Sequence, residues 1–137
     1  MLRFDCAHAL TAALRTLAQD DGVVLLPTET VYGLVCDYEH EAARERIYEM
    51  KRRPASKRLA AFFPSVASVE RHVGESLPRA AHRIAYALCP GPLTVIVPQG
   101  AGTFGFRIPD HAFLLKLLRI YGRPPAHTSA HRSGGAN

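Results

Sequence analysis

The chain has no tryptophan, three cysteines and two methionines among its 137 residues. No window approaches the ~18 consecutive apolar residues that a membrane span requires. Cys6, Cys36 and Cys89 are far apart, odd in number and without C-x-x-C spacing. That pattern argues against a disulfide framework and a zinc site, and the three read as small buried hydrophobes. Seven histidines are scattered, none in an H-E-x-x-H pattern, so a zinc enzyme is not expected. The G-x-x-x-x-G-K-[ST] pattern is absent. Ser129 and Ser133 lie near His127 and His131, but no G-x-S-x-G elbow surrounds them and a third partner is unassigned, which disfavours a hydrolytic triad. The first residues, Met1-Leu2-Arg3-Phe4-Asp5, hold no long apolar stretch and an early acid, so the expected compartment is the cytoplasm, with no membrane partner.

What is present is an ordinary globular composition, 47% apolar and 21% charged, of a length that suits one domain. The net charge of +5 is local: Lys51, Arg52, Arg53, Lys57 and Arg58 stand together without an acid, and the other 12 basic residues balance the 12 acids. Such a patch suits phosphates, of a nucleotide or of a nucleic-acid backbone. It is equally what a solvated charge run looks like where a helix ends, because cations complement the C-terminal dipole.

Along the chain, strand-like and helical patterns alternate, which predicts an α/β layered domain over residues 1–137. Asp5 is positioned to cap a helix with Ala9, Leu10, Ala13, Leu14 and Leu17 on one stripe, ending near Gly22. Val23-Val24-Leu25-Leu26 reads as a strand covered on both faces. A helix is expected from Glu41 to Arg52 with Pro54 as its stop, then a buried strand from Leu59 to Phe63. Helices follow around Val66 to Val73 and from about Leu77 to Leu88. Leu93 to Val97 and Phe104 to Ile108, joined by a glycine-rich turn, read as antiparallel neighbours, so the sheet is mixed. Asp110 is the expected cap of a last helix with Phe113, Leu114, Leu117 and Leu118 inward, ending at Gly122.

Four polar stations fall at the ends of these elements. Thr28-Glu29-Thr30 with Tyr32 and Gly33 follows the first strand, where a loop on a rigid scaffold can present side chains, although a threonine and an acid after Pro27 also suit a simple turn. Arg53 and Lys57, four apart across Pro54, combine a planar donor fork with a point charge, the pairing a polyphosphate needs to be oriented and neutralised. Arg107 sits inside the apolar run Phe104-Gly105-Phe106-Arg107-Ile108, so it faces either a cleft or an ion partner. The segment Thr128 to Gly135, rich in hydroxyls and glycine, offers backbone amides to phosphate oxygens.

The ordered set Pro27-Thr28-Glu29-Thr30-Val31-Tyr32-Gly33-Leu34, Lys51-Arg52-Arg53-Pro54, Pro90-Gly91-Pro92-Leu93-Thr94, Phe106-Arg107-Ile108-Pro109-Asp110-His111 and Thr128-Ser129-Ala130 resembles the motifs of the YrdC-like family of threonylcarbamoyl-AMP synthases. The resemblance runs from about Gly22 to the last residue. It implies the family's twisted mixed sheet around a basic concave cavity. It also implies the family's reaction, in which L-threonine, bicarbonate and ATP, with Mg²⁺, give threonylcarbamoyl-adenylate and pyrophosphate towards the N6-threonylcarbamoyladenosine of tRNA. By position in the motifs, Thr30, Arg107 and the backbone of His127 would hold threonine, and Arg107 the threonine side of the intermediate. Arg53 and Lys57, with Lys51 nearby, and Thr103, the Ser129 hydroxyl and Asn137 would hold ATP. Where the family reads Ser-Ala-Asn, this chain has Ser129-Ala130-His131. Family members continue beyond the position of Asn137 through further elements, so the implied domain is C-terminally short.

The residue types agree with that chemistry. A carbamate carboxylate approaching an α-phosphate brings two anions together, which cations and Mg²⁺ offset, and no side-chain nucleophile is required. The general base is unassigned. Two other readings fit a basic concave surface: a non-catalytic module for double-stranded RNA or tRNA, working beside other tRNA-modification proteins, and a carbamoyl-transfer domain. The Lys51 to Arg58 patch has no aromatic interleaving for RNA bases to stack on.

Overall fold

In the computed structural model, which describes residues 6–52 and 59–129, alternation along the strands sets the layering. Phe104 and Phe106 are buried on one face of their strand, while Thr103, Gly105 and Arg107 point to the other. The elements run α1 (Cys6–Leu17), β1 (Val24–Leu26), β2 (Gly33–Asp37), α2 (Glu41–Lys51), β3 (Ala60–Phe62), α3 (Val66–Val73), α4 (Arg79–Leu88), β4 (Val95–Gln99), β5 (Gly102–Arg107), α5 (Ala112–Tyr121) and β6 (Pro125–Ser129). The six strands form one sheet in the order β1-β2-β6-β3-β5-β4. Among the described residues only β3 and β5 pair in parallel, so the sheet is mixed as expected.

Each face has its own helices. Cys36 and Ala126 pack on Ala43 and Ile47 of α2, and on the same face Phe104, Phe106, Val95 and Val97 meet Val69 and Ala85 of α3 and α4. On the opposite face Leu26, Val35 and Phe62 lie under Ala13, Leu17, Leu114 and Leu117 of α1 and α5. These two helices cover only part of that face. The registers Gly33↔Ser129, Ala60↔His127 and Phe62↔Arg107 carry it onward to small residues, Gly33, Ala60 and Gly105, where no helix of the described residues stands. The uncovered part is the site described below.

Two local signals fix helix ends, and the stop at Gly122 is the one anticipated. Ser65 and Ser68 form a reciprocal capping box at α3, and Gly122 ends α5 in the left-handed region at φ 77°. The cap of α5 is not Asp110. The Nδ1 of His111 accepts from the amide of Leu114 at 3.3 Å, because a cap must reach the amide three residues on, and His111 is the residue so placed. Asp110 instead gives its backbone N–H to Glu29 Oε2.

Two further expectations change. The run from Val23 to Leu26 is not covered on both faces: β1 is an edge strand paired only with β2, and Leu25 is 56% exposed. The second strand, β2, was not anticipated in the segment after Pro27, yet it lies between β1 and β6 and carries the fully buried Val35, Cys36 and Asp37. Cys36 is buried, which pushes its thiol up to about 12, and Cys89 is half-buried. Asp5 and Pro54 lie outside the described residues.

Candidate functional site

The loop that follows β1 is organised by one hydroxyl. Thr28 Oγ1 accepts from the amides of Thr30 and Val31, each at 3.2 Å, and donates to the Val31 carbonyl at 2.5 Å. A hydroxyl has a single proton. With that proton on Val31, the 3.1 Å contact between Thr28 Oγ1 and Thr30 Oγ1 is a bond donated by Thr30. Thr30 Oγ1 in turn accepts from Arg107 Nη2 at 3.3 Å. The order Arg107, Thr30, Thr28, Val31 ties the loop to the end of β5.

Glu29, between the two threonines, completes the junction. Its carboxylate pairs with the guanidinium of Arg107 and receives the amide of Asp110. Both side chains are shielded, with 12% of Arg107 and 16% of Glu29 exposed. Burial lowers the Arg107 pKa from its ordinary value. The sequence left open whether Arg107 faces a cleft or an ion partner; it does both, since it also lines the cavity.

That cavity measures about 580 Å³, with Gly33, Ala60 and Gly105 at its base and hydroxyls of Thr28, Thr94, Thr103, Thr128 and Ser129 around it. A Cβ built on Gly105 would meet Ala60 Cβ and Thr94 Cγ2, each at 3.7 Å, and Ile96 Cγ1 at 3.8 Å. All three neighbours line the cavity, so a Cβ at Gly105 would enter it at ordinary contact distances. Thr94, Gly105 and Ala60 were not singled out from the sequence. The signal was there in the small residues interrupting otherwise apolar strands.

His127 stands where the cavity meets the covered half of the face. Its ring stacks on Phe62 with centroids 3.7 Å apart. Burial first, and then the Arg107 charge, lower its pKa to about 3, so the ring is neutral. Among the described residues, the buried side-chain polar atoms without a hydrogen bond are Arg107 Nε and His127 Nε2, together with Glu29 Oε1, which is the oxygen held by Arg107 Nη2 in the ion pair. Each comes from one of three residues gathered at this junction.

Of the residues expected to bind substrates, the structure brings together Thr30, Thr103, Arg107, His127 and Ser129 at or beside this cavity. Lys51 stands apart from them. It is buried in the last turn of α2, 6% exposed, and does not line the cavity. Arg53, Lys57, His131 and Asn137 lie outside the described residues. No group of three or more His, Cys, Asp or Glu that could hold a metal ion is found among the described residues. No helix among them is long and apolar enough to cross a membrane.

The sequence matches the family model of Sua5, YciO and YrdC, described as telomere recombination, over residues 16–136. A threonylcarbamoyl-AMP synthase of Mus musculus is 37% identical over 140 residues, a match covering 95% of this chain and 49% of that protein. One of Escherichia coli is 31% identical over 137 residues, covering 92% of this chain and 72% of that protein. Among solved structures, P. abyssi Sua5 complexed with L-threonine has a TM-score of 0.82 at 32% identity, covering 97% of this chain and 41% of that one. E. coli YciO reaches a TM-score of 0.82 at 22% identity, covering 93% of this chain and 66% of its own, a likeness of fold. The chain spans about half the length of the rodent relatives it matches.

Proposed function

We propose, for a chain that belongs to the Sua5/YciO/YrdC family, that its cavity binds L-threonine, bicarbonate and ATP and forms threonylcarbamoyl-AMP with release of pyrophosphate. The observation that carries this reading is Arg107. It is a half-buried cation at the end of β5, hydrogen-bonded to Thr30, with a free Nε facing no protein acceptor, on the rim of a cavity floored by small residues. Its planar fork suits a substrate carboxylate. Thr30 beside it suits the threonine side chain, and the backbone of His127 lies on the same side.

ATP would occupy the part of the cavity lined by Thr103 and Ser129, with Asn137 as a further contact and Arg53 and Lys57 supplying cations to the triphosphate. Mg²⁺ would arrive on the phosphates, which supply its oxygen ligands, and offset the charge that develops at the α-phosphate. The protein's share is positional: it holds a carbamate oxygen in line with the α-phosphorus and excludes competing water. The floor of Gly33, Ala60 and Gly105 supports this division of labour, because its small side chains leave room for substrates.

The product would serve the modification of tRNA in the cytoplasm, with tRNA and other tRNA-modification proteins as downstream partners. Incorporation of labelled bicarbonate into an adenylate tests the reading. The label should appear only when L-threonine and ATP are both present. Incorporation independent of L-threonine would refute it.

A further inference from the structure

We propose that the purine of ATP lies flat over Gly105 and against Ile96, at the β4 edge of the cavity; the proposal rests on the function given above. Val95 and Val97 are buried with residues of α3 and α4. Ile96 between them therefore points to the cavity face, where it is 68% exposed. A lone exposed isoleucine calls for no ligand. The neighbours of this one distinguish it.

Ile96 pairs with Gly105 of β5, and the register Ala61↔Phe106 sets Ala60 of β3 on the far side of Gly105. Beyond the chain neighbours of Gly105, the three atoms nearest to a Cβ built there are Ala60 Cβ and Thr94 Cγ2 at 3.7 Å and Ile96 Cγ1 at 3.8 Å, all carbon. Thr94 turns its methyl this way. The bare backbone of Gly105 is thus the middle of an apolar shelf, in a cavity that elsewhere carries hydroxyls and the Arg107 guanidinium. The shelf crosses three adjacent strands, roughly 10 Å at the ordinary strand spacing.

That surface selects among the three substrates. Bicarbonate and the triphosphate carry charge and gain nothing from carbon. L-threonine has a single methyl, and its carboxylate is assigned to Arg107. The purine has two apolar faces and the length to cover Ala60, Gly105 and Ile96 together, which removes Ile96 from water. A ring resting on a strand needs backbone without a Cβ, and glycine alone supplies it. From the β4 edge, the ribose and α-phosphate extend over β3 towards β6, where Thr128 and Ser129 line the cavity. L-threonine on Arg107, two residues along β5 from Gly105, stays within reach of that phosphate.

The test uses wild type, Ile96→Thr and Ile96→Val, with a non-hydrolysable ATP analogue, tripolyphosphate and L-threonine as calorimetric probes. Ile96 is exposed and both replacements suit a strand, so the melting temperature should hold. The ATP analogue should bind Ile96→Thr about tenfold more weakly than wild type, and Ile96→Val within about threefold of it. Tripolyphosphate, which lacks the base, should bind all three proteins alike. Equal affinity of the analogue for wild type and Ile96→Thr would overturn the proposal. So would a wild type that binds tripolyphosphate as tightly as the analogue, a result that depends on no variant. Loss of L-threonine binding in Ile96→Thr, with analogue binding kept, would overturn it by putting the amino acid's methyl on the shelf. A wild type that binds neither the analogue nor L-threonine would overturn this inference together with the proposed function. Pyrophosphate release that requires L-threonine and bicarbonate, from an Ile96→Thr protein of unchanged ATP affinity, would overturn the inference alone.

Discussion

The imidazole of His127 lies face to face on the ring of Phe62, 3.7 Å between centroids and 10° from parallel, with Arg107 as the neighbouring charge. Protonation is disfavoured there, and the pKa falls to about 3 from an ordinary 6.5. A histidine whose folded pKa is depressed contributes stability that is present above pH 6.5 and lost as the pH falls towards 3. Across that window one such group accounts for up to about 1.4 kcal/mol per pH unit. His127→Gln should therefore flatten the loss of stability between pH 6.5 and 4.5. Urea titrations at four pH values check this, and parallel curves for the two proteins would mean that His127 is not the linked group.

At the other end of β2, Asp37 is fully buried and receives the Tyr121 hydroxyl, the Glu39 amide at 2.9 Å and the Arg123 guanidinium at 3.2 Å. It joins β2 to the end of α5 and the start of β6. Burial, and then the hydrogen bond to this carboxylate, raise the Tyr121 phenol above its ordinary value. Asp37→Ala should cost about 3 kcal/mol, because it strips three donors of their acceptor. Tyr121→Phe should cost about 1 kcal/mol. Equal denaturant midpoints for Asp37→Ala and wild type would contradict the role given to this cluster.

Gly105 tests the floor of the cavity. Its Cβ would find ordinary contacts, so Gly105→Val should leave stability unchanged or raise it by about 0.5–1 kcal/mol, through a stiffer unfolded chain and a better strand residue. The same side chain would occupy ligand space. Nucleotide affinity should fall by about tenfold while the melting temperature holds. A variant that binds ATP normally would place the nucleotide elsewhere.

Much of the fold was legible, and the misses share a cause. Amphipathic stripes placed α3 between Val66 and Val73, and the glycine turn paired β4 with β5, because both are local signals. The run from Val23 to Leu26 looked like an inner strand. Yet burial depends on what lies alongside, and β1 ended at an edge. β2 was hidden inside a stretch beginning with glycine, and its place is set by β6, nearly a hundred residues away in the chain. At the site, the residue types of each station were readable one by one. The bond from Arg107 to Thr30 and the ion pair with Glu29 were not, since no periodicity links residues so far apart.

The clamp proposed for the triphosphate rests on Arg53 and Lys57. Arg53→Ala and Lys57→Ala should each weaken ATP binding by roughly 1.5–3 kcal/mol, the cost of one charged phosphate contact. Calorimetry with a non-hydrolysable ATP analogue checks both. Unchanged affinity in the two variants would remove the clamp from the account.

In the proposed function one cavity brings L-threonine, bicarbonate and ATP together. The direct measurement is pyrophosphate release from ATP with each of the other two substrates omitted in turn. Release is expected only when both L-threonine and bicarbonate are present, and is expected to be lost in Arg107→Ala, whose side chain lines the cavity. Release that continues without L-threonine, or that survives Arg107→Ala undiminished, would contradict it.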